Sequence, residues 1–407
     1  MTKRSRRHGP APMTKIRLDN IILTKQNRND TCRRLLIFVT MTTVAVTLGQ
    51  GYTQYKEYVD YHISMCFSVV RNTMYGTKAL LTTGNWTYPS LPTEEPWNFD
   101  EEAASTFREE LEQECHIKRD ISLTKSSAKV GKKIVYDVEP QHYVTLAGPM
   151  YVLLPETSPF DGKFYNTCAV VGNGGILRDS RCGSEIDTAD FVFRCNLAPI
   201  SRYHEDVGTR TNFTTMNPSV LKTYYNRVNS ENSRKRFINR LEEIGDGFLW
   251  IPAFVSKMGE REVNLLNSIL MGERLNGLPL QPLYPTKEVT RAIFKFWNTR
   301  KLEVPRLTTG LCMYTIAASV CRQVALYGFY PSNHDREGNR LPYHYYERRS
   351  RYNFEQGPHK MYNEYKALKS LHDKGLVRLR ERCKPLPSYV YAMRNNPRYR
   401  DHDRRGR

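Results

Sequence analysis

A chain of 407 residues, 40% of them hydrophobic, is long enough for one large α/β domain with appendages. Its net charge of +19 has the size of a nucleic-acid footprint. The excess sits in the ends, however: residues 1–34 carry ten Lys and Arg against two Asp, a net +8, and 394–407 carry six Arg against two Asp, a net +4, leaving +7 for everything between. That distribution argues against a nucleic-acid partner and suits a domain that holds an anionic ligand.

After Arg33 and Arg34 comes an uncharged stretch, 35–52, with its apolar centre at Leu35–Val39 and Val44–Leu48. Eighteen residues rise roughly 27 Å as a helix, enough for a thin bilayer. A buried core helix and a cleaved signal peptide are the alternatives. The one-sided basic flank, with no small-residue cleavage site, favours a signal anchor with residues 1–34 cytoplasmic and the rest luminal. On that topology Cys32 is cytoplasmic and eight of the nine cysteines lie in an oxidising compartment, with 105 possible pairings. Residues 53–96 are polar and tyrosine-rich, with Pro89, Pro92, Pro96 and the sequon Asn85-Trp86-Thr87, and read as a stem. Asp100 before Glu101 and Glu102 predicts a helix reaching Glu114.

The domain proper shows an apolar strand, Ala169–Val171, running into a glycine turn (Gly172, Gly174, Gly175), the device by which an α/β backbone approaches a phosphate or nucleoside. A second apolar run, Phe191–Cys195, ends on Asn196. Asn173 and Asn196 thus stand at carboxyl ends of strands, where ligands of open sheets collect, and an amide both donates and accepts. Asn212-Phe213-Thr214 is a second sequon; Asn217, followed by Pro218, is a ligand contact or a turn residue. Thr308-Thr309-Gly310 opens an apolar helical run, Leu311–Val320, ahead of a strand at Val324–Tyr327. A helix start with hydroxyls and a glycine is an anion site, although a threonine N-cap is the plainer reading and the two are compatible. Two of the ten histidines stand out in a loop-rich region: His344 in Tyr343-His344-Tyr345-Tyr346-Glu347 and His359 in HKMYNE, the latter closed by Glu364 as a loop-orienting or helix-capping group. Asp401-His402-Asp403 belongs to the solvated tail.

Read in order, CAVVGNGGILRDSRCGSEIDTADFVFRCN from Cys168, RLTTGLCMYTIAASVCRQVALYGF, HYYE and HKMYNE resemble the large, small, third and very small motifs of animal sialyltransferases, and most closely the α2,8-sialyltransferases. ISLTK (121–125), DVGTRTN (206–212), TMNPSV (215–220) and WIPAF (250–254) extend the likeness from Trp97 to Cys383. The resemblance implies a single Rossmann-like domain of the GT-A-variant type, with a mostly parallel sheet flanked by helices, over 97–390, followed by a basic tail, 391–407. It implies a single-pass type II Golgi protein that joins sialic acid from CMP-sialic acid to the 8-hydroxyl of a terminal sialic acid on a glycoprotein or ganglioside, inverting, with no metal. His359 becomes the base and His344 the phosphate stabiliser; Asn173, Asn196, Asn217, Thr308, Thr309, Gly310, Gly328 and Trp250 become substrate contacts. Cys168 is expected to pair with Cys321 and Cys182 with Cys383, Cys195 being free.

Cys312 and Cys321, nine residues apart on the expected helix, are out of phase, so only one can face Cys168. Cys66 and Cys115 have no counterpart in the resemblance, and pairing with each other or across a homodimer is open to them. The upstream helix is acidic, and Lys287–Arg306 mixes Glu288 and Glu303 with its cations, which points to a mono- or oligosialyl product, not a long polymer. Segments 229–246 and 272–286 are expected to be acceptor-distinguishing loops. Three rivals remain: a sialyltransferase of another linkage, an inactive sialoglycan-binding member, and an oxidoreductase, the last disfavoured because Leu177 stands where a dinucleotide fingerprint needs its third glycine.

Overall fold

The computed structural model describes residues 97–348, 352–354 and 359–383. The expected cytoplasmic tail, anchor and stem, Asn85, Cys66 and the basic C-terminal tail all lie outside the described residues. Among the described residues, no helix is long and apolar enough to cross a membrane.

The domain opens with α1 (Glu101–Cys115), whose N-cap Asp100 accepts from Ala103 N–H at 2.9 Å. The Trp97 indole just ahead donates to His372 O at 3.0 Å, tying this start to the end of the domain. Then come α2 (Ile117–Asp120), an antiparallel hairpin of β1 (Lys133–Val135) and β2 (Tyr143–Thr145), and α3 (Gly148–Leu153). From β3 (Tyr165–Val171) strands and helices alternate: α4 (Gly183–Ile186), β4 (Phe191–Arg194), α5 (His204–Val207), β5 (Phe213–Thr215), α6 (Ser219–Tyr225), α7 (Glu231–Glu242), β6 (Phe248–Trp250), α8 (Glu260–Leu275), β7 (Gln281–Leu283), α9 (Lys287–Thr299), α10 (Thr309–Val320), β8 (Cys321–Tyr327), α11 (Met361–Asp373) and β9 (Arg378–Arg380).

Seven strands form one sheet in the order β7-β6-β5-β4-β3-β8-β9, and every pairing in it is parallel. A parallel sheet is covered on both faces, so its strands read as unbroken apolar runs; all four residues of β4 and the last four of β3 are buried. Phe160, Phe191, Phe193, Phe213 and Phe248 stack across one face, neighbouring centroids lying 4.8 to 6.4 Å apart. From β3 the chain steps outward through β4 to β7, and β8 then returns to β3's other side. The order reverses between β3 and β8, and such a switch point leaves a crevice at the strands' carboxyl ends.

Cys168 is bonded to Cys321 across the β3–β8 pair, and Cys182 to Cys383, which pins the segment after β9 beside the turn after β3. These are the pairs the resemblance implies, but the helix-phase argument for choosing between Cys312 and Cys321 does not apply. Helix α10 ends at Val320 and Cys321 is the first residue of β8, so strand adjacency brings it to Cys168. Cys115 and Cys195 are free and buried; Cys312 is free and half-buried, and burial pushes all three thiols up to about 12. The expected loop at 229–246 is instead mostly α7, started by a capping box between Ser230 and Ser233. Segment 272–286 likewise holds the end of α8 and all of β7.

Candidate functional site

The chemistry-bearing residues meet at the carboxyl ends of β3, β4, β5 and β8. After β3, Gly172 N–H donates to Tyr327 O at 2.8 Å and Gly174 N–H to Gly328 O at 3.2 Å. A Cβ on Gly174 would lie 2.4 Å from Gly328 O, and one on Gly175 only 1.9 Å from Pro342 O. The turn's glycines therefore admit the protein's own backbone, a close approach that the reading of the turn as a phosphate or nucleoside contact did not include. What they admit is the segment carrying His344: Gly175 N–H donates to Tyr343 O (3.2 Å), Tyr345 N–H to Asn173 O (3.0 Å), and Gly174 bridges to His344.

The next strand end contributes Asn196, held in the left-handed region at φ 54, which asparagine tolerates better than most residues. Its backbone N–H donates to Thr215 Oγ1 (2.9 Å) and its Oδ1 accepts from Asn217 N–H (3.1 Å), leaving its amide NH2 to donate. Asn173 Nδ2 donates to Cys195 O at 3.3 Å, leaving its Oδ1 to accept. Three asparagines thus line three adjacent strand ends, each half-buried.

The third part is the start of α10. Thr308 is its N-cap, with Oγ1 accepting from Leu311 N–H at 3.1 Å. The N–H groups of Thr309 and Gly310 have no acceptor among the described residues, so two donors of a twelve-residue helix remain free at its positive end. Phe329 joins this end to the glycine turn: a Cβ on Gly172 would lie 3.2 Å from its ring, and one on Gly310 2.9 Å from the same ring.

The histidines differ. His344 Nδ1 lies 2.6 Å from Glu347 Oε1, an imidazole–carboxylate pair, and its ring lies against Tyr343 and Tyr346, at 4.1 and 5.1 Å between centroids. His359 Nδ1 lies 3.2 Å from Arg306 O, and a carbonyl can only accept, so Nδ1 carries the hydrogen and Nε2 keeps its lone pair. Burial lowers the His359 pKa below the usual imidazole value, favouring this neutral form.

The family model described as glycosyltransferase family 29 (sialyltransferase) matches residues 112–376. The chain belongs to this sialyltransferase family. It is 34% identical over 285 residues to the mouse protein named alpha-2,8-sialyltransferase 8F, covering 70% of each chain. A crystal structure of a mammalian sialyltransferase aligns at 20% identity over 54% of this chain and 70% of that one, with a TM-score of 0.37. A crystal structure of a mammalian sialyltransferase in complex with Gal-beta-1-3GalNAc-ortho-nitrophenol aligns at 19% identity over 70% of this chain and 88% of that one, again with a TM-score of 0.37.

Within this sialyltransferase, not every expected site residue faces the crevice. Trp250 is buried with its indole N–H donated to Ile121 O at 3.0 Å, a packing role at the end of β6. Gly328, at φ +77, lets the chain turn after β8 beside Leu177 and Gly172. Thr308 spends its polar groups on capping and on Glu364. Asn212 lies between β4 and β5, its Oδ1 accepting from Val192 N–H at 2.9 Å, and Thr214 of the same sequon is fully buried. Asn212 thus helps to register β4 against β5, and it is half-buried.

Three contributors have contacts that the sequence reading did not assign. Phe329 looked like an ordinary aromatic after a strand. Arg178 donates through Nε and Nη2 to Tyr345 O (3.0 and 2.6 Å) and through Nη2 to Glu347 O (2.7 Å), cradling the loop that bears His344. Glu364 was expected to serve its own loop or helix, and it reaches Thr308 instead.

Proposed function

We propose that this sialyltransferase moves sialic acid from CMP-sialic acid to the 8-hydroxyl of a terminal sialic acid on a glycoprotein or ganglioside glycan. The donor carries its own leaving group, a phosphodiester on the anomeric carbon, so the protein's work is positioning and charge control. His359 Nε2 takes the proton of the acceptor hydroxyl. The oxygen attacks the anomeric carbon as the bond to the phosphate oxygen breaks, and CMP departs. One displacement through an oxocarbenium-like state converts a β-linked donor into an α-linked product. The Thr309 and Gly310 amides and His344 receive the phosphate's charge, and Asn173, Asn196 and Asn217 hold the nucleotide; this logic requires no metal. The protein is placed in the Golgi membrane, type II and anchored by residues 35–52, making mono- or oligosialyl products.

The observation that carries the reading is the position of His359, its Nδ1 fixed on Arg306 O two residues before the α10 cap. The 8-hydroxyl assignment leans on the likeness to a protein named for that linkage. The test incubates the full-length protein in detergent with CMP-sialic acid and a panel of sialylated gangliosides and glycoproteins, with and without chelator, followed by linkage and chain-length analysis. An α2,8-linked product formed equally with chelator is expected. Transfer only to galactose or hexosamine overturns the linkage, no transfer at all makes the chain a sialoglycan-binding relative, and loss with chelator overturns the metal-free mechanism.

A further inference from the structure

Glu364 is a buried carboxyl, 4% exposed, in the first turn of α11. It does not cap its own helix, whose N-cap is Lys360 with no side-chain capping bond. Its Oε1 accepts from Thr308 N–H at 2.7 Å and its Oε2 is hydrogen-bonded to Thr308 Oγ1, 56 residues earlier in the chain. Five residues before Glu364, His359 bonds to Arg306 O. Three bonds, two from Glu364 and one from His359, therefore hold one short segment, 306–308, immediately ahead of the Thr309 and Gly310 amides.

We propose that Glu364 is a positioning residue: by taking both polar groups of Thr308 it fastens the start of α11 to the start of α10 and so fixes His359 Nε2 relative to the Thr309 and Gly310 amides. This rests on the reading of His359 as the base. The arrangement divides the helix end into two uses. Thr308 N–H, the donor of the cap residue itself, is consumed inside the protein, and the next two have no acceptor among the described residues. A fixed anion at this place would oppose a phosphate on the same helix end, but burial pushes the Glu364 carboxyl up to about 7, where the neutral form is well populated. In the ionised form Thr308 Oγ1 donates to Oε2; a neutral carboxyl keeps the tether by reversing that bond, the acid hydroxyl donating to Thr308 Oγ1 while Oε1 still accepts from the amide.

The test compares wild type, E364A, E364Q and H359A as full-length proteins in detergent. Turnover is divided by the number of CMP-binding sites, so that molecules that merely fail to fold drop out. The expected result is a loss of about 10- to 100-fold in kcat per site for E364A, because a misplacement near 1 Å costs that much, with little change in CMP affinity. E364Q, whose amide can accept from Thr308 N–H and donate to Oγ1, recovers most of that loss, while H359A loses at least as much as E364A and is not rescued. E364A with wild-type kcat per site beside an inactive H359A overturns the tether and leaves the base intact. An active H359A overturns the base, and the tether with it. Should E364A yield no CMP-binding protein, the cycle of E364Q, T308V and the double variant replaces it: coupling in kcat between the two positions supports the tether, and independent effects overturn it.

Discussion

Replacing Glu364 by Gln should make stability respond to pH differently, and the size of the difference follows from its surroundings. Burial raises this carboxyl from 4.5 to about 7, only partly countered by the two bonds from Thr308. Below about pH 4.5 the group is protonated in the folded and the unfolded chain alike and contributes nothing. Between 4.5 and 7 the unfolded chain releases the proton while the folded one keeps it, so the folded state binds more protons and stability falls as pH rises. Above 7 both forms are ionised and the loss is complete. At about 1.4 kcal/mol for each pH unit between the two values, the loss comes to about 3 kcal/mol. The amide of E364Q has no such transition, so urea unfolding of wild type and E364Q between pH 4.5 and 8, under non-reducing conditions, should show the variant gaining about 3 kcal/mol on the wild type across that span. Every other titrating group cancels in the difference. A difference that stays flat with pH, or that grows in the opposite direction, would show that the carboxyl is not held in a desolvated site and would refute the packing around Thr308 as described.

Two further outcomes follow from the geometry. Gly175→Ala places a methyl 1.9 Å from Pro342 O, where both sides are backbone, so the His344 segment must lift from the turn; turnover should fall at least 10-fold with a drop in melting temperature, and a variant as stable and active as wild type would contradict the clamp. Trp250→Phe removes the bond to Ile121 O at the cost of about 1 kcal/mol and should leave the KM for CMP-sialic acid unchanged, whereas a tenfold rise in that KM would restore the tryptophan to the donor site.

What could be read from the chain and what could not divides along a physical line. Strands β3 and β4 were visible because both faces of a parallel sheet are covered, so CAVV and FVFRC are unbroken apolar runs bounded by Gly and Asn. Helix α10 was visible for the complementary reason, a threonine cap before an apolar stretch that is buried almost throughout. Helix α7 was not: its buried positions are Ser233, Phe237, Arg240 and Leu241, two of them polar, and its capping box uses Ser233 where a Glu or Gln would have given the pattern away. Strands β5, β6 and β7 are three residues each, too short for any period to register. At the site the same distinction holds. Motif resemblance named His344, His359 and the asparagines as residues, but their orientation comes from bonds whose partners are backbone atoms or distant side chains: Arg178 on the carbonyls of Tyr345 and Glu347, His359 on that of Arg306, Glu364 on Thr308. A carbonyl has no letter in the sequence, and a pair 56 or 167 residues apart leaves no spacing to recognise. At the glycine turn the letters do not say which backbone comes close: a Cβ on Gly174 or Gly175 would meet Gly328 O or Pro342 O, and the His344 segment is bridged to Gly174 by that same close passage.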